Sequence, residues 1–319
     1  MNKLRVIFFI VLMLVGCSSN NSLTSDGDHV ESTPEKSAET VLPSPTLPPS
    51  AEPLPTPSKQ KTEAYLDTEK LKTNFGFADA EGRNILVTGH EKGLDQEMAQ
   101  LNEAIGDQGN VLKIKFNKWQ DGTENSNGRE MAHNFVNLAG YLFTVEEASA
   151  TPDETYYLTD QTDFKVDALL PIESLEGQEA LSTVEESVRQ RIVDTKKREI
   201  QKIWKLADLS TDRQLYLVQF VRLDQDMLFS LVWKEKDEFT FMDYPAVIQG
   251  DEYSVWRVDD GGEVMPEMFS ILFAAETSEG PLLGLNWWGS EGVNTFFLKK
   301  EGDSFKEMDI QYGRYTSPL

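Results

Sequence analysis

From residue 200 onward the chain is a succession of short apolar runs divided by turn residues. They occupy 200–206, 214–223, 227–233, 239–244, 253–258, 268–275, 282–288, 294–299 and 305–310. Runs this short at this spacing form strands, and joined by tight turns they build an antiparallel meander, a sandwich or a barrel-like sheet. Residues 214–223 are apolar on both faces at several positions, so that run is expected at the centre of the sheet.

Within this half the sequence echoes itself. Lys234-Glu235-x-Asp237-x-Phe239-x-x-Met242-Asp243 returns as Lys300-Glu301-x-Asp303-x-Phe305-x-x-Met308-Asp309. Each copy follows an apolar run and reads as a charged hairpin turn with a strand returning through Phe and Met. Two hairpins with convergent turn chemistry and a duplicated sheet unit are both compatible with it.

The region 63–197 is expected to be mixed. Residues 84–88, 141–145 and 155–158 read as strands, and 64–72 as a short helix. Leu94, Met98, Leu101 and Ile105 share one helical face, with Gly106 as a stop. Leu112, Ile114 and Phe116 alternate with Lys113, Lys115 and Asn117, the pattern of a half-buried strand. A helix is expected from Arg129 through Leu138, and Leu181, Val184, Val188 and Ile192 mark an amphipathic helix. The fold class is therefore α+β: a mixed first part with a few helices, then a β-rich region over 198–319. Residues 63–319 are compatible with a single domain.

What precedes this body is built differently. Residues 18–62 contain no aromatic side chain and hold eight of the fourteen prolines. Such a segment cannot bury enough apolar surface to offset the entropy of ordering, and is expected to be a disordered linker. At the polyproline rise of about 3.1 Å per residue, its length corresponds to a reach of roughly 140 Å. A spacer of that reach lifts the body into or through a cell wall.

At the N-terminus, Lys3 and Arg5 precede an unbroken apolar run over 6–15, the layout of a signal peptide. The run ends in Leu14-Val15-Gly16-Cys17, and Cys17 is the single cysteine of the chain. This resembles the lipobox of bacterial lipoproteins. The resemblance covers about the first twenty residues and implies cleavage between Gly16 and Cys17, with a diacylglyceryl group on the Cys17 thiol. Further acylation (palmitate-type chains) at the new N-terminus would hold the protein firmly on the membrane, where one chain alone binds marginally. The implied location is the extracytoplasmic side of the cell membrane.

Charge and composition exclude several functions. The chain has 54 acidic residues against 30 Lys plus Arg, a formal net charge of -24. That is the opposite of a nucleic-acid binder, which needs a basic face. A single cysteine allows neither an intrachain disulfide nor a cysteine-cluster metal site. Nucleophile elbow, HExxH, P-loop and GxGxxG motifs are all missing from the sequence.

The remaining candidates are weak in pattern. His90 and His133 would need acids beside them to hold zinc. The oxygen-rich stretch 121–128 lacks the glycine and the bidentate acid of an EF-type calcium loop, and 259–263 reads as a tight turn. A carboxylate pair for glycoside hydrolysis has no specific signal among so many acids. The adjacent Trp287 and Trp288 are the candidate ligand contacts. On a strand they point to opposite faces, and one that faced outward beside Asn286, Ser290, Glu291 and Asn294 would stack on a sugar ring or a peptide.

We therefore expect a lipid-anchored, extracytoplasmic, non-catalytic binding or interaction module of the cell envelope, taking a protein or glycan ligand. No catalytic residue, metal or cofactor is assigned. A carboxylate-based envelope hydrolase, for example one acting on glycans, and a subunit of an envelope complex are the alternatives.

Overall fold

A computed structural model describes residues 64–175, 180–181, 184–248, 250 and 253–317. The Leu14–Cys17 motif, Cys17 itself, His29 and the proline-rich segment lie outside the described residues. Residues 60–319 form one compact unit. The described part is mostly β, with few helices.

The first six strands close into a small antiparallel barrel. They are β1 (Phe75–Ala78), β2 (Asn84–Val87), β3 (Glu103–Gly106), β4 (Asn110–Gln120), β5 (Gly140–Val145) and β6 (Thr155–Thr159). Around the barrel the order is β1-β2-β5-β4-β3-β6. Closure leaves no unpaired sheet edge. The interior is filled by Ile85, Val87, Leu112, Ile114, Tyr141, Phe143, Tyr156 and Leu158, with the small Ala78 and Ala104 between them. Strands this crowded require glycine where they approach most closely. A Cβ on Gly140 would stand 2.5 Å from the Val87 carbonyl oxygen, and one on Gly76 2.7 Å from that of Leu86.

The helical spacing over Leu94, Met98, Leu101 and Ile105 reports burial correctly but only partly the element. The helix α1 is a single turn, Asp95–Met98, and residues 103–106 are strand β3. Met98 and Leu101 pack with the barrel interior, whereas Ile105 points outward from β3 into a different core. The segments expected as helices near 64–72 and 129–138 contain only short 3-10 turns, Thr68–Lys70 and Ala132–Asn137. The helix expected around Val188 and Ile192 is present as α2 (Glu186–Lys196), ended by Lys197 in the left-handed conformation.

The second half consists of two four-stranded antiparallel meanders. The first is β8 (Ile200–Ser210), β9 (Arg213–Phe220), β10 (Asp226–Glu235) and β11 (Glu238–Val247). The second is β12 (Phe269–Thr277), β13 (Gly280–Trp288), β14 (Gly292–Glu301) and β15 (Ser304–Tyr315). With the short β7 (Glu173–Ser174) they make a nine-stranded sheet in the order β12-β13-β14-β15-β11-β10-β9-β8-β7. The two meanders meet through one parallel bridge, Phe241 with Ser304.

Residues 253–258, expected to be a strand, are an irregular loop. The cause is Asp260. Its carboxylate accepts from the backbone N–H groups of Val255, Trp256, Arg257 and Gly262 at 2.7–2.9 Å, which removes those donors from any ladder.

The body stacks in layers. Val188 and Ile192 of α2 cover one face of the first meander, against Ile203, Tyr216, Val218 and Val232. The opposite face, with Leu217, Phe229, Leu231 and Trp233, packs on Ile271, Leu283, Leu285 and Phe296 of the second meander. The far side of the second meander, with Leu272, Phe273, Leu282 and Phe297, packs on Phe75, Ile105 and Tyr157 of the barrel. Two turn N–H groups of the barrel, from Gln108 and Gly109, bond the β12 carbonyls of Ile271 and Leu272 at 3.0 and 2.8 Å.

The sequence echo maps onto the last hairpin of each meander with the same register. Lys234 pairs with Phe239 in the first, and Lys300 with Phe305 in the second. Phe239 faces the α2 layer and Met242 the second meander; Phe305 faces the first meander and Met308 the barrel. Each copy thus turns its Phe to the layer before it and its Met to the layer after it. This head-to-tail order favours a repeated four-stranded unit over convergence at two turns.

Candidate functional site

The two adjacent tryptophans of β13 point to opposite faces, as strand geometry requires. Trp287 belongs to the core between the meanders, with the rings of Tyr244, Phe229 and Phe269 centred 5.2–5.4 Å away. The Arg257 guanidinium lies 5.6 Å from its ring centroid. Trp288 turns the other way, and its indole N–H donates to Ser270 Oγ at 3.3 Å. Asn286 shares that side, is 2% exposed, and exchanges hydrogen bonds with Ser270 and Thr295.

The polar residues expected near the tryptophans are divided in the same way. Ser290, Glu291 and Asn294 line an open hollow of about 430 Å³ with Trp256, Arg257 and Tyr315. Asn294 and Gly313 are shared with a smaller, more enclosed hollow of about 340 Å³ that includes Trp287, Glu307 and Gln311. Burial pushes the Glu307 carboxyl above the usual carboxylate range.

The other sequence candidates lie apart from Trp287 and Trp288. His90 Nε2 lies 2.9 Å from the Thr73 carbonyl oxygen, and His133 sits in the 3-10 turn Ala132–Asn137. Asp121 accepts from Lys92 Nζ at 3.0 Å and Trp119 Nε1 at 2.7 Å, which holds its carboxyl below the ordinary range. Asp260 is consumed by the N–H groups of its own turn. Among the described residues no group of three or more His, Cys, Asp or Glu side chains could hold a metal ion.

A larger concavity lies elsewhere, where the barrel meets the sheet. It measures about 660 Å³. Asp107 and Gln108 enter it from the β3–β4 turn, and Glu154 from the residue before β6. Leu175 and Leu206 come from the β7–β8 side, Phe269, Ser270 and Ile271 from β12, and Glu267 from the 3-10 turn before β12. β12 and β7 are the two outer strands of the sheet, so the cleft opens between its edges. The β3–β4 turn that carries Asp107 is rigid. Its tip is hydrogen-bonded to β12, and Thr151 Oγ1 donates to Asp107 Oδ2 at 2.7 Å.

Burial pushes the Glu154 carboxyl above its ordinary pKa, and the neighbouring Asp107 and Asp153 add to this against the pull of Arg314. Asp107, Glu154 and Glu267 form no ion pair among the described residues. Two carboxyls on one cleft, one of them raised by burial, are the ingredients of acid–base chemistry. The same groups beside an apolar floor are equally the ingredients of a binding site. The sequence carried no signal for this constellation, because its acids come from three separate connecting segments and look like any other surface acids.

Compared with known proteins, the chain matches no family model, no curated protein and no solved structure.

Proposed function

We propose that the protein is a lipid-anchored binding module on the extracytoplasmic side of the cell membrane. In this reading residues 1–16 are removed, acyl chains on Cys17 hold the membrane, and residues 18–62 carry the body outward. The body contributes a cleft rather than a catalytic apparatus. The finer organisation follows the same division: residues 63–197 supply one wall of the cleft and 198–319 the other.

The observation that supports binding is the cleft between barrel and sheet. It has the volume of a small-molecule site, an apolar floor of Leu175, Leu206, Phe269 and Ile271, and a rim of convergent polar groups. Its walls include β12, β8 and the hydrogen-bonded β3–β4 turn, so much of its shape is set by the fold before any ligand arrives.

The test is native mass spectrometry of the lipoprotein purified in detergent from its own membranes. A small molecule should be retained, be released unchanged on unfolding, and be lost in a Glu267→Trp variant that blocks the mouth. Steady chemical conversion of the retained molecule would contradict a binding role.

A second reading rests on Glu154 and Asp107 sharing the cleft, and is a carboxylate-based hydrolase of envelope glycans. It requires glycan cleavage by the purified protein that disappears in both Glu154→Gln and Asp107→Asn.

A further inference from the structure

The cleft between barrel and sheet has a definite chemical bias, and it comes from which residues reach it. Its rim carries the carboxylates of Asp107, Glu154 and Glu267. Neither Lys, Arg nor His lines it among the described residues. Some buried and half-buried acids elsewhere are neutralised: Arg213 bonds both Glu235 and Glu276, and Lys113 bonds the buried Glu103. The cleft carboxylates make no ion pair among the described residues: Asp107 and Glu267 are exposed, and the half-buried Glu154 feels only the longer-range attraction of Arg314. A half-buried carboxylate without an ion pair, as at Glu154, costs stability, and such groups concentrate at functional sites.

The arrangement also limits what can neutralise these acids. They project from three different segments and do not form a cluster able to hold a metal ion. The side chains of Leu175, Leu206, Phe269 and Ile271 line the same cleft. A single ion cannot reach all three carboxylates, but a molecule with separated positive charges and apolar links between them can. Ser174 and Gln108 supply neutral hydrogen-bonding groups around the same space.

We infer that the barrel–sheet cleft binds a small organic cation, one with amine groups spaced along an aliphatic skeleton in the manner of a linear polyamine. Ammonium groups pair with Asp107, Glu154 and Glu267, and the methylene segments lie on the leucine, phenylalanine and isoleucine floor. The acidic body draws cations toward the surface, and the cleft supplies selectivity by spacing. This assignment rests on the reading of the protein as a binding module.

The experiment is calorimetric titration of the full lipoprotein in detergent with spermidine. One site per chain is expected. Because the whole body is acidic, the decisive comparison is between two variants that remove the same charge. Glu154→Gln with Asp107→Asn should weaken binding at least about tenfold, as expected for loss of charge-assisted contacts. Asp237→Asn with Glu238→Gln, in the exposed β10–β11 turn, should leave affinity within about twofold, as expected for screened surface charges. Fully N-acetylated spermidine and calcium ion should not bind the cleft.

Equal weakening in both double variants would show diffuse surface attraction and overturn the assignment. So would equal binding of the acetylated compound, capture of a lysine-rich peptide in place of spermidine, or no binding at all. Melting curves of both variants establish that each is folded. If spermidine binds as described but is converted to products, the cleft assignment stands and the binding-module reading fails.

Discussion

Arg314 of β15 reaches across to the barrel and donates from Nη2 to the Asp153 carbonyl oxygen at 2.6 Å. A second bond runs from Nη1 to the Glu130 carbonyl oxygen at 3.1 Å, and the guanidinium lies 5.0 Å from the Phe77 ring centroid. Arg314 is 3% exposed, so this cation is part of the seam between barrel and second meander. Removing it leaves two carbonyls without their partner and opens a void. Arg314→Ala should cost about 2–4 kcal/mol in urea unfolding, and Arg314→Lys should recover little because an ammonium cannot span the fork. A loss under about 1 kcal/mol would show that the seam depends on apolar packing alone.

The two echoing hairpins make a reciprocal prediction. Their tips place Lys236 and Gly302 in the left-handed conformation, at φ 54° and 66°. A side chain there is strained, while glycine is not. Lys236→Gly should therefore stabilise the body by about 0.5 kcal/mol and Gly302→Lys destabilise it by a similar amount, once the entropy of glycine in the unfolded chain is allowed for. Opposite signs in paired thermal melts support the equivalence of the two tips; equal signs contradict it.

Glu154 gives a pH-dependent prediction whose sign follows from its raised pKa. Burial is the main cause, with Asp107 and Asp153 acting in the same direction and Arg314 against them. A carboxyl raised in the folded state is a liability above that pKa, where it is ionised in both states. The liability shrinks as pH falls and is gone once the carboxyl is protonated in both states, below the unfolded value of about 4.3. Glu154→Gln should therefore melt at a higher temperature than the native protein at pH 7, with the gap closing near pH 4. A gap that persisted or grew toward acid would contradict the assignment.

At the alkaline end, burial pushes the Tyr157 hydroxyl up to about 12, and it accepts the backbone N–H of Lys72 at 3.0 Å. Tyr216 is also pushed up to about 12, again chiefly by burial. Stability from keeping these phenols neutral is complete below the unfolded tyrosine value of about 10 and is lost as pH rises through it toward 12. Phenolate absorbance and loss of near-ultraviolet dichroism should therefore rise together above about pH 10. Ionisation of these residues in a protein that stays folded would contradict their burial.

The legible parts of the fold were the long apolar runs of the second half, parted by turn residues. Runs in β9, β10, β13 and β14 fall within one to three residues of their expected limits. In the barrel β2, β4, β5 and β6 were expected as strands, but β1, β3 and the closure were not. Along β1 the inward positions are Gly76 and Ala78 and the outward ones Phe75 and Phe77, all buried, so no polar face marks the alternation. The helical spacing around Met98 arose because a single helical turn and the following residues all lean on one end of the barrel. The loop at 253–258 was misread because its apolar residues suggested a strand, whereas its backbone N–H groups are held by the Asp260 carboxylate rather than by a ladder, and Tyr253 and Val258 are exposed. The cleft left no trace in the sequence, since Asp107, Glu154 and Glu267 converge only after the barrel has docked on β12.

The anchor is the most direct test of how the protein works. Intact mass should be measured on the protein extracted from its own membrane, beside a Cys17→Ala variant. A chain beginning at Cys17 and heavier by two or three acyl chains, with the variant lost from the membrane, is the expected result. An unmodified mass, or a variant that stays on the membrane as firmly as the native protein, would contradict the lipid-anchored binding module.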